Sequence, residues 1–95
     1  MRLLGNSLRQ IGQPEGAQKR YNQALLIQHK ISDRYGEAET LYSLAKAQQQ
    51  LNDLSGSRES LTAALSIFSA LGDPQADITR AELEQLRRDD HTPGT

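Results

Sequence analysis

The feature that most constrains this chain is that it nearly repeats itself at an offset of 40 residues. Leu4 falls on Leu44, Gln10 on Gln50, Gly16 on Gly56, Ala24 on Ala64, Leu25 on Leu65, Ile27 on Ile67 and Asp33 on Asp73. Ile11 on Leu51, Ile31 on Leu71 and Glu37 on Asp77 are close substitutions. A period of this length, filled with apolar residues at helical spacing, marks a stacked array of helix pairs in which each unit buries its apolar face against the next. The fold class that follows is all-α: an α-solenoid of two helix-turn-helix repeats plus a C-terminal capping helix. Such arrays work by presenting an extended surface, so recognition of a protein or peptide is the expected role.

The spacing predicts a first helix over about 2–11, with Leu4, Leu8 and Ile11 on one face and Gly12 closing it in the left-handed conformation. Pro14 suits the first turn of a second helix that runs to about Ile31 and carries Ala17, Tyr21, Ala24, Leu25 and Ile31. Glu15 behind it favours the positive end of the helix dipole. Asp33 can cap a third helix over about 34–51, whose stripe is Ala38, Leu41, Leu44, Ala45, Gln48 and Leu51. Asn52 and Asp53 form the next turn, with Asp53 the N-cap of a fourth helix holding Leu54, Leu61, Ala64, Leu65, Phe68 and Leu71. Gly72 ends it, and Asp73-Pro74 starts a fifth helix of about 74–88 with a thin apolar set, Ala76, Ile78, Leu83 and Leu86. A helix of that kind covers one end of an array while keeping its outer side polar.

In domain terms, a helical repeat domain is expected over 1–88: repeat one about 1–32, repeat two about 33–72, capping helix about 74–88. A disordered tail is expected over 89–95. Loops this short force neighbouring helices antiparallel. The chain begins without an N-cap, as though cut from a longer array.

Composition removes several classes of function. The longest apolar runs, such as Ala24-Leu25-Leu26-Ile27, fall far short of the ~20 residues a bilayer span needs. No secretory leader follows Met1, because Asn6, Arg9 and Gln10 interrupt at once; a cytoplasmic location is the expectation. The net charge of −1 has no basic stripe behind it, so no direct contact with nucleic acid or membrane is expected. Cysteine is absent, which removes disulfides and thiol catalysis.

Candidates for chemistry are poor. His29 and Asp33 stand at i, i+4 with no second His or Cys beside them, which suits a solvated pair better than a metal site. Asp89, Asp90 and His91 lie in the expected tail, where nothing preorganises a ligand set. Gly12-Gln13-Pro14-Glu15-Gly16 lacks the Lys-Ser or Lys-Thr of a phosphate loop, and no spacing of Ser, His and Asp singles out a triad. The expectation is a non-catalytic chain with no cofactor and no metal.

The residues at the helix contacts resemble tetratricopeptide repeats. Leu4-Gly5, Ala17, Tyr21 and Ala24-Leu25 follow the family's order of a Leu-Gly pair, a small residue, a large aromatic and Ala-Leu. Leu44-Ala45, Ser57, Leu61 and Ala64-Leu65 follow it again with two softened choices. The resemblance covers about residues 2–88, in a form longer than the common repeat of about 34 residues. Leu71-Gly72-Asp73 and Gly36-Glu37-Ala38 are similar to the arms of bacterial signalling proteins. The stretch from Ala64 to Pro74 is similar to the carboxyl-terminal arm of actinobacterial transcriptional regulators that join a DNA-binding domain to a nucleotide-binding switch.

The resemblance implies a concave face lined by the first helix of each repeat. By register, Arg2, Asn6, Arg9 and Gln10, then Glu39, Tyr42, Lys46, Gln49 and Gln50, face it. The peptide-binding set expected from this is Asn6, Arg9, Tyr42, Lys46 and Gln49, whose donors suit an extended segment with an acidic group and whose Tyr42 supplies a flat anchor. An ordinary solvated helix face reads equally well. The carboxylate clamp of chaperone-binding members is incomplete: Arg2 and Asn6 fit, but Ser43, Thr79 and Leu83 stand where Asn and basic residues are required. Two alternatives stay open beside the recognition module. One is self-association as a homodimer through the uncovered Leu3 and Leu8; the other is an accessory segment of a fused enzyme.

Overall fold

The computed structural model describes residues 5–6 and 12–91, with the side chains of 89–91 left aside. Gly5 and Asn6 are helical, and four helices follow: α1 Pro14–Lys30, α2 Arg34–Gln50, α3 Leu54–Ala70 and α4 Gln75–His91. Each is 17 residues long.

Their turns explain the regularity. Gly12, Ser32, Asn52 and Gly72, twenty residues apart, all take positive φ, at 82°, 59°, 62° and 66°. At the last three, one pattern of main-chain bonds recurs. The amide of Asp33 donates to the carbonyl of Gln28 and that of Ser32 to His29; Asp53 and Asn52 reach Gln48 and Gln49; Asp73 and Gly72 reach Phe68 and Ser69, all at 2.8–3.2 Å. Each pair of bonds satisfies the last carbonyls of a helix around a left-handed residue. The same aspartate then faces forward. Asp33 Oδ1 accepts from the amide of Gly36 and Asp53 Oδ1 from that of Gly56, both at 3.0 Å, while Asp73 Oδ1 accepts from Gln75 at 2.8 Å. One residue therefore ends a helix with its main chain and starts the next with its carboxylate. At α1 the N-cap Gln13 makes no such bond, and Pro14 in the first turn serves instead.

Successive helices pack against one another in antiparallel order. Ala17 and Tyr21 of α1 meet Leu44 and Ala47 of α2. Ala45 of α2 meets Leu61 of α3 and Leu86 of α4, and Ala38 meets Ala64, Ile67, Phe68 and Ala76. Because α2 is covered on two sides, its buried positions are mostly small, which lets the neighbouring axes come close. Full burial of Tyr21, Leu61 and Phe68 contributes about 1.5–3 kcal/mol each. The two contacts of α2 differ in kind. Its buried cluster with α1 is apolar, with His29 Nδ1 3.8 Å from Glu37 Oε2 at the edge, whereas toward α3 Ser57 Oγ donates to the carbonyl of Ala45 at 2.9 Å and Ser60 Oγ to Gln48 Oε1 at 2.7 Å.

Several expectations need correction. Ile31 and Leu71, assigned to apolar stripes, are 68% and 49% exposed. Both are C-caps, standing just beyond the last helical residue, where the chain turns away from the stripe. Ile78 is 53% exposed, and Thr79, one position further round the helix, takes the buried place and donates to the carbonyl of Gln75 at 2.9 Å. Helix α4 starts at Gln75, with Pro74 in the turn, and continues through His91 where a tail was expected from Asp89. No Gly or Pro intervenes before Pro93 to stop it. The expected first helix lies outside the described residues apart from Gly5 and Asn6.

Candidate peptide-binding groove

Helices α2 and α4 lie side by side in one layer, joined by an ion pair between Lys46 Nζ and Glu82 Oε1. Lys46 and Glu82 retain only 28% and 29% of their side-chain exposure, so water screens this pair less than a surface bridge. The Lys46 ammonium also stands 5.1 Å from the centre of the Tyr42 ring, over its face. Below the pair, Gln49, Glu82, Gln85 and Leu86 line a small cavity of about 110 Å³.

Toward the start of α2 a larger hollow opens, of about 310 Å³, lined by Asn6, Tyr35, Glu39, Tyr42, Ser43, Phe68 and Gln75. Tyr35, Glu39 and Tyr42 follow at i, i+4 and i+7, so α2 presents all three on one side. Phe68 closes the floor from the end of α3, its ring edge-on to Tyr35 with centroids 6.0 Å apart and planes at 71°. Asn6 is oriented from behind by the Tyr21 hydroxyl, which donates to its Oδ1. With that oxygen engaged, Asn6 offers its amide N–H groups. Four separate stretches of the chain thus meet at one hollow.

The structure brings together two of the expected site residues, Asn6 and Tyr42. Lys46, the repeat equivalent of Asn6, directs its charge to Glu82. Gln49 donates to Ser57 Oγ at 3.1 Å and borders the smaller cavity. Arg9 lies outside the described residues. The sequence reading missed Tyr35, Phe68 and Gln75. The seven-residue spacing of Tyr35 and Tyr42 was the available signal; Phe68 reads as core because it is core, 1% exposed, with one edge toward the hollow. A shallower depression of about 560 Å³ runs along the outer face of α3, past Ser55, Arg58, Glu59, Thr62, Ala63 and Ser66. All of those side chains come from one helix.

Among the described residues, no group of three or more His, Cys, Asp or Glu side chains comes together as a metal set. Nor is any described helix long and apolar enough to cross a membrane.

Equal helices in antiparallel pairs, a 40-residue sequence period and a hollow built where helices of one layer line up define an α-helical repeat scaffold. The chain belongs to the tetratricopeptide repeat family, whose sequence pattern matches residues 1–76. Repeats of this family generally mediate protein–protein interaction. No curated protein and no solved structure matches the chain.

Proposed function

We propose that this chain is a non-catalytic recognition module that holds an extended protein segment along the face of α2 and α4, as the interaction arm of a larger bacterial regulator. The observation that carries the reading is the hollow itself, to which residues at 6, 35–43, 68 and 75 all contribute. A wall of rings beside amide and hydroxyl groups suits a peptide, because rings supply contact area while Asn6, Ser43 and Gln75 can pair with its main chain. The resemblance of the Ala64–Pro74 stretch to regulator arms supports the larger setting.

The test is site-specific photo-crosslinking in the native host, with the photoreactive residue placed at Ser43 in the hollow or at Thr62 on the outer face of α3. Adducts to a partner protein from Ser43 and none from Thr62 are expected. Adducts from Thr62 alone, or equal yields from both positions, would move the binding face elsewhere.

A further inference from the structure

Two rings set the gauge of the hollow. Tyr35 and Tyr42 both line it and stand seven residues apart on α2. At a helical rise of 1.5 Å per residue, their places along the axis differ by about 10.5 Å. A polyproline II strand rises about 3.1 Å per residue and returns to the same side at every third, an interval of about 9.3 Å. The mismatch of roughly 1 Å is well inside the reach of a tyrosine side chain. A β-strand turns every second residue to one side, at intervals of about 6.8 or 13.6 Å, and misses the rings by more.

Hydrogen bonding selects in the same direction. Tyr35, Glu39 and Tyr42 are already engaged within the protein, so they offer an incoming chain ring surface and shape. Asn6 accepts from the Tyr21 hydroxyl at Oδ1 and offers its amide N–H groups; Ser43 and Gln75 add donors to the lining. A segment bearing proline is the complement of such a wall. Proline has no main-chain N–H, so the strand carries more acceptors than donors. Its ring brings no polar atom that the engaged side chains would have to satisfy. The polyproline II main chain makes no internal hydrogen bonds, which leaves its carbonyls for the donors, and its conformation is largely set before binding. The fit uses no charge.

Resting on the reading of this face as a peptide-binding surface, we infer that the segment it holds is a polyproline II strand with two prolines three residues apart. One proline ring lies against Tyr35 and the other against Tyr42, over the floor formed by Phe68. Asn6 and Gln75 donate to carbonyls of the strand.

The experiment is selection of random linear peptides on the full chain, followed by affinity measurements with the wild type, Tyr35→Leu and Tyr42→Leu. The expected result is enrichment of peptides with prolines three apart, in which replacing either proline by alanine, or moving the pair to two or four apart, weakens binding by roughly tenfold. Each tyrosine substitution should weaken the same peptides by a similar factor while the helical circular dichroism signal is kept. Tyr35 is 47% exposed, so its variant leaves the core closed and decides the matter if Tyr42→Leu loses helix. Thr62→Ala, on the outer face of α3, should leave the affinity unchanged. Enriched peptides without the proline pair, or indifferent to its spacing, would overturn the inference and leave the recognition role standing. Proline peptides that bind both tyrosine variants as tightly as the wild type would lie outside this hollow and overturn it too. Enrichment of no peptide at all would count against the recognition role itself, and the proline strand would fall with it.

Discussion

Tyr21 fills the space left by the missing side chain of Gly5: a Cβ built on Gly5 would stand 2.7 Å from Tyr21 Cε1. Forty residues later the corresponding pair is Ala45 and Leu61, which share one core cluster. Where the first copy uses the smallest residue against a large ring, the second uses a methyl group against a shorter side chain. The two choices are coupled by volume. Gly5→Ala should cost about 1–3 kcal/mol by overpacking. In a Tyr21→Leu background the same change should cost less, by at least about 0.5 kcal/mol. Urea denaturation of the two single variants and the double variant measures this difference, and strict additivity would count against the contact.

The capping aspartates predict a reversal of sign. The three atoms nearest a Cβ built on Gly36 all belong to Asp33, the closest at 2.2 Å. Gly36→Ala should therefore disturb the cap and destabilise by about 1 kcal/mol, although alanine is the better helix former. Once Asp33→Ala has removed the carboxylate, Gly36→Ala should stabilise instead, by up to about 1 kcal/mol. Melting midpoints of the four combinations would show the change of sign.

Ala64 is fully buried at the meeting of α2, α3 and α4. Ala64→Leu should destabilise by about 1–3 kcal/mol, because the added atoms have no space that is not already occupied. Gln23→Ala, on α1 and outside the core clusters, should stay within about 0.5 kcal/mol of the wild type. Thermal unfolding of both variants checks the packing register.

Lys46 bears on stability through its ion pair with Glu82. Lys46→Met leaves the Glu82 carboxylate without its cation, at a cost of about 1 kcal/mol at this intermediate exposure. Adding Glu82→Leu should recover most of the loss, since an apolar pair replaces the ionic one. If the double variant proved less stable than Lys46→Met alone, the pair would not be what joins α2 to α4. Binding measurements on Lys46 variants should be read with this loss in mind.

Much of the fold was legible because its determinants are local. The 40-residue offset, the caps at Asp33 and Asp53 and the left-handed Gly12 and Gly72 depend on residues a few positions apart. Ser32 was not legible as a left-handed residue, since serine carries no such preference; the paired main-chain bonds around it impose the conformation. Ile31, Leu71 and Ile78 misled by type, for an apolar residue at the end of a helix period is not thereby inside. The candidate groove was legible only as a register. Asn6 and Tyr42 follow from it, but the partner of Lys46 lies 36 residues away on another helix, and no register reading reaches that pairing.

The joints of this protein and its side chains keep different counts. Left-handed joints recur every twenty residues, at 12, 32, 52 and 72, so the main chain treats all helices alike. Side chains recur every forty, and they alone decide whether a helix belongs to the layer of α2 and α4 or to that of α1 and α3. A duplicated block of forty residues would slot into the array as a further unit and lengthen the groove. A block of twenty would keep every joint intact yet send each later helix to the opposite layer, exposing Leu61 and Phe68 and hiding Glu39. The chain can therefore grow only in pairs of helices, and the candidate groove lengthens in steps of that size.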